Sequence, residues 1–65
     1  MNRILKAKMI EKFGSQIRFA HTIGEDESNV SRVVNGWRSL APSEQKQWAD
    51  VLGCSPEDIF KDAAN

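Results

Sequence analysis

Residues 16–35 read QIRFAHTIGEDESNVSRVVN, and the fold turns on this stretch. From Gln16 to Ile23, the residues Ile17, Ala20 and Ile23, with Phe19, recur at the spacing of one helix face. Ser15 stands ahead of them as an N-cap whose hydroxyl can accept from orphan amides, and Gly24 supplies the stop. Asp26 is then the natural cap of a second short helix. Its Val30, Val33 and Val34 sit at i, i+3 and i+4 facing inward, and Asn35-Gly36 ends it. Three valines lower helix propensity, so packing must hold this helix. The acids Glu25, Asp26 and Glu27 suit the positive end of its dipole, and they lack the alternating spacing and distal glutamate of a calcium loop.

Working outward, Leu5, Met9 and Phe13 fall at four-residue steps with Ile10 beside them, predicting a helix from Arg3 to Phe13 that Gly14 stops. On the other side, a loop through Trp37, Arg38, Ser39 and Leu40 leads to Pro42 and Ser43, which open a helix carrying Trp48, Val51 and Leu52 on one face as far as Gly53. Ser55-Pro56-Glu57-Asp58 then combines a cap, a proline at the first helical position and an acid three residues after the cap, ahead of Ile59 and Phe60. No segment alternates apolar and polar residues long enough for a strand, and helices below about 12 residues are marginal alone in water. The expectation is an all-α domain of five short helices sharing one core over residues 1–65, with Trp37 and Trp48 both filling it.

The inventory excludes most catalytic chemistry. His21 is the only histidine and Cys54 the only cysteine, so neither a zinc site nor a Cys/His nucleophile pair is expected, and no glycine-rich phosphate loop is present. No enzyme, metal or cofactor is predicted. One cysteine forms no internal disulfide, and apolar runs of only a few residues build neither a signal peptide nor a membrane span, so a cytoplasmic protein is expected. Nine basic side chains balance nine acidic ones. Their distribution is uneven: Arg3, Lys6, Lys8, Lys12 and Arg18 crowd the front half, while Asp50, Glu57, Asp58 and Asp62 crowd the back. Such a two-faced chain can turn one side to phosphate.

Two short helices joined by Gly24-Glu25-Asp26 form a helix-turn-helix pattern, whose second helix is offered to the DNA major groove. The window Gln16 to Asn35 resembles the helix-turn-helix of the lambda-repressor and Cro-like family, also called the xenobiotic-response-element family of bacterial and phage transcriptional regulators. Ala20 matches its small residue where the helices cross, Gly24 its turn glycine, and Phe19, Ile23, Val30 and Val33 its buried positions. Phe13-Gly14-Ser15-Gln16, the segment Val30 to Gly36, Trp48 to Gly53 and Ser55 to Phe60 extend the resemblance over most of the chain. Glu25 departs from it, standing where the family usually has an apolar residue.

At 100° per residue from the valine stripe, the outward side of the second helix carries Ser28, Arg32 and Asn35, with Ser31 on one flank and Asn29 on the other. The front of a recognition helix penetrates deepest, which together with the resemblance nominates Glu27, Ser28, Asn29 and Arg32 for base edges. Arg32 suits guanine O6 and N7, and Glu27 suits cytosine N4. Gln16, Ser31, Asn35, Arg38 and Ser39 are the candidates for the sugar-phosphate backbone, Gln16 on the strength of the resemblance. The implied partner is duplex DNA bearing a pseudo-palindromic operator, met as a homodimer and nucleoid-associated when bound. On sequence grounds the expected dimer surface is Ile59, Phe60 and the tail to Asn65, although the same residues would also close the core of a monomer, and dimerisation in free solution is left open. A Cro-like repressor is the implied role. A protein-interaction module or antirepressor with the same fold and no DNA affinity is the alternative.

Overall fold

The structure is a computed structural model and describes residues 1–60. Capping chemistry sets the ends of its helices. In α1 (Arg3–Phe13), the Asn2 side chain accepts from the Leu5 amide at 3.0 Å, and the helix ends at Gly14. In α2 (Gln16–Ile23), Ser15 Oγ accepts from the Arg18 amide at 3.2 Å. Gly24 closes α2 at φ 75°, a left-handed conformation that costs a residue with a Cβ about 1–2 kcal/mol. The space beside its Cα is open, so the requirement is one of backbone, not of room.

The third helix, α3 (Glu27–Val34), starts at Asp26, which has the extended torsions of a cap but makes no side-chain capping bond. The fourth, α4 (Pro42–Leu52), takes half a capping box: Ala41 has no oxygen to offer, but Glu44 Oε1 accepts from the Ala41 amide at 3.2 Å. In α5 (Pro56–Phe60), Asp58 reaches back to the Ser55 amide at 3.3 Å. All five elements are helices, with no strand among the described residues.

The hub is α1, which packs against each of the other four helices, while α2 lies on α3 and α4 on α5. Leu5 and Met9 point from α1 into a core completed by Phe19, the α3 valines, Trp48, Leu52, Ile59 and Phe60. Phe19 is central: its ring meets Phe13 edge-on at 5.5 Å and Trp48 at 5.2 Å. Such contacts add about 0.5–1.5 kcal/mol each beyond the area they bury. Asn2 ties the layers together. Its amide donates to the Val34 carbonyl at 2.6 Å and its Nδ2 to the Ile59 carbonyl at 2.5 Å, fixing the ends of α3 and α5 to the start of α1.

Ile17 and Ile10, assigned inward by spacing, and Trp37, assigned to the core as a large aromatic ring, lie outside. Trp37 is 80 % exposed, Ile17 55 % and Ile10 48 %. Ile17 lies about 115° around α2 from the middle of Phe19, Ala20 and Ile23, and Ile10 about 100° around α1 from that of Leu5, Met9 and Phe13. Neighbouring helices already cover those central directions. Trp37 follows Gly36, whose φ of 82° reverses the chain as it leaves α3. Leu40, which reads as plain loop, and Ala49 are buried instead, at 6 % and 0 % exposure. Ile59 and Phe60, the expected dimer surface, are 2 % and 4 % exposed because they close the core of the single chain. The rest of that expected surface, residues 61–65, lies outside the described residues.

Candidate nucleic-acid interface

Helix α3 has two chemically separate sides. Val30, Val33 and Val34 are buried to 6 % exposure or less, while Glu27, Ser28 and Arg32 are exposed. This split follows from the sequence, since four-residue steps return to nearly the same side of a helix and carry Ser28 directly to Arg32. Arg32 forms no ion pair with any described residue, so neither Glu25 nor Asp26 restrains its guanidinium.

The turn brings a second helix end to this side. Gln16, the first residue of α2, donates from Nε2 to Glu27 Oε2, the first residue of α3, at 3.5 Å. The bond is at the outer limit of length, so it orients Glu27 without holding it rigidly.

The remaining candidates, Ser39 apart, are engaged within the protein. Asn29 is half-buried and donates from Nδ2 to Glu25 Oε1 at 2.9 Å, one helical turn back, so its amide is turned toward the turn and away from Arg32. The same bond gives Glu25 a polar partner in its half-buried site. Asn35 donates to Ser31 Oγ at 3.3 Å, also along the helix.

Arg38 is turned aside as well. Its Nη2 lies 3.6 Å from Glu44 Oε2, and Glu44 accepts from the Ala41 amide at 3.2 Å, so an anion at the start of α4 draws the guanidinium toward that helix. Arg38 Nη1 is buried with no hydrogen-bond partner among the described residues. Ser39 is exposed and makes no side-chain hydrogen bond among the described residues.

The basic front half is not a single surface. Lys12 lies against Gly53 at the end of α4, and Lys8 lines a shallow polar hollow there with Asp50, Cys54 and Asp58. Burial pushes the Cys54 thiol above its ordinary pKa; Lys8 opposes the shift, Asp58 adds to it and Lys12 opposes it. No group of His, Cys, Asp and Glu among the described residues is arranged to hold a metal ion. No helix among them is long and apolar enough to cross a membrane.

Trp37 is the surface residue that the sequence reading missed, because it placed the ring in the core on its size alone. The signal for it was the Asn35-Gly36 pair immediately before it, a turn sequence that takes the chain out of the α3 register. No protein-family model, curated protein or solved structure matches the chain.

Proposed function

We propose that the chain is a lambda-repressor-like helix-turn-helix domain that reads duplex DNA, with α3 entering the major groove. The observation that carries this reading is the division of α3 into a valine side sealed in the core and an exposed polar side bearing Ser28 and Arg32, an arginine with no ion pair among the described residues, with Glu27 exposed at the first turn. A helix held rigidly by one face and offering a guanidinium on the other suits a groove about 12 Å wide. Arg32 takes guanine O6 and N7 in bidentate fashion. Glu27 accepts from cytosine N4, Ser28 is permissive, and Gln16 steadies Glu27 or bonds a phosphate.

The role that follows is transcriptional regulation, in the manner of a Cro-like repressor that occupies a pseudo-palindromic operator as a homodimer on DNA. Three consecutive acids at the front of α3 oppose phosphate, so affinity is modest and depends strongly on the base that Glu27 meets.

The test is fluorescence anisotropy with a labelled duplex library at two salt concentrations. Binding is expected to enrich one sequence and to weaken as salt rises, and Arg32→Ala to lose about tenfold or more together with the preference at one base pair. Absence of binding even at low salt would overturn the reading. It would favour a protein-interaction module or antirepressor, for which the acids Glu25, Asp26 and Glu27 are the supporting feature.

A further inference from the structure

We propose that Trp37, and not Arg38, is the residue by which the loop after α3 grips the DNA backbone, its ring lying on a deoxyribose and its indole N–H donating to a phosphate. The inference rests on the DNA-binding reading and deepens it.

Four observations support the assignment. Trp37 is the most exposed large apolar residue of the described chain, at 80 %, against 65 % for Met1 and 55 % for Ile17. Its backbone is held firmly: its amide donates to the Arg32 carbonyl at 2.8 Å, and the Gly36 amide before it donates to Val33 at 3.1 Å. The ring is thus carried by the very helix that bears the candidate base-reading side chains. Arg38, the cation that the sequence offers for this task, is drawn to Glu44.

Position does the rest. When the front of a recognition helix sits deepest in the groove, its rear end rises toward the groove wall, where sugars and phosphates lie. A residue just past Val34 and Asn35 arrives there. Indole is suited to that boundary, because its N–H can only donate, phosphate oxygen can only accept, and its ring is apolar like the sugar face. Gly36 before the ring has no side chain and Arg38 after it is drawn toward Glu44, so the ring has room to lie against a strand.

The two tryptophans allow a direct measurement. Trp48 is 3 % exposed, so quenching of the free protein by acrylamide reports Trp37. The experiment titrates the full chain with the duplex selected from the library and follows acrylamide quenching and anisotropy for wild type, Trp37→Ala, Trp37→Phe and Arg38→Gln. DNA should shield Trp37, lowering quenching toward the level of Trp37→Phe. Trp37→Ala should weaken binding about tenfold on every duplex alike, with the base preference kept, as loss of a charge-assisted phosphate bond does. Trp37→Phe should fall between wild type and Trp37→Ala, and Arg38→Gln should stay close to wild type.

Full affinity in Trp37→Ala, or unchanged quenching while anisotropy reports binding, would overturn the inference and leave the DNA-binding reading standing. A changed base preference in Trp37→Ala would overturn the backbone assignment in favour of base reading. Shielding of Trp37 by protein concentration alone would assign the ring to contact between copies. If no duplex binds wild type at low salt, the reading and the inference fall together.

Discussion

The loop at Trp37 and the inner face of α4 at Trp48 hold the same side chain, eleven residues apart, in opposite environments. Trp48 is 3 % exposed and stacks edge-on against Phe19 at 5.2 Å, whereas Trp37 is 80 % exposed. Their chemistry is identical, so the difference lies in what precedes each. Trp48 belongs to a regular helix whose Ala49 and Leu52 are buried beside it, and its direction is fixed by four-residue steps from its neighbours. Trp37 comes after a left-handed glycine that ends the helical register, and from there periodicity carries no information. An aromatic residue is a core residue where periodicity places it inward, and a surface residue where a turn has released it.

The contrast can be broken first at Trp48. Trp48→Ala should cost about 3–5 kcal/mol through lost burial and an unfilled cavity. That is comparable to the whole stability of a domain this size, at about 0.05–0.15 kcal/mol per residue. A thermal melt followed by circular dichroism should show a chain largely unfolded at room temperature. A cooperative, near-normal melt would mean that the core does not close around this ring.

Leu40 sharpens the comparison, because it sits in the same loop as Trp37 yet is only 6 % exposed. Leu40→Ala should cost about 2–5 kcal/mol by urea denaturation, in the range of other buried leucines. A loss below 0.5 kcal/mol, the usual range for a surface change, would show that the loop is not anchored through Leu40.

The smallest effect belongs to Trp37 itself. Trp37→Ser should leave stability within about 0.5 kcal/mol of wild type, as surface changes do, even though it deletes one of the two largest side chains in the protein. A loss of several kcal/mol in the free monomer would mean that the ring packs on the chain after all.

The helices were legible because their signals are local. Ser15, Gly24, Pro42 and the Ser55-to-Asp58 segment each act within one turn of chain, so five helices could be delimited without knowing how they pack. The outward side of α3 was legible for a related reason: three valines in five residues leave Ser28 and Arg32 on the opposite side whatever covers the valines. The candidate site was only half legible. Glu27, Ser28 and Arg32 are exposed, but Asn29 bonds Glu25, Asn35 bonds Ser31 and Arg38 pairs with Glu44. The first two partners are four residues away along the chain, at either end of α3, and within reach of sequence reasoning. The third is not, since it depends on how the loop after α3 returns to the start of α4.

The sequence by itself determined an all-helical chain, the places where each helix starts and stops, and the separation of α3 into valine and polar sides. These properties rest on backbone conformation and on a period of 3.6 residues, both set within a few residues. Tertiary structure alone decided which of the surplus apolar residues would be covered. Leu40 and Ala49 went in and Ile17 and Ile10 stayed out. It also decided that α1 would touch all four other helices, and that Asn2 would bind the ends of α3 and α5. The physical reason is that an amphipathic stripe is broader than the contact a neighbouring helix can make with it. The covered part is therefore fixed by the mutual placement of residues distant in sequence, here as far apart as Asn2 and Ile59.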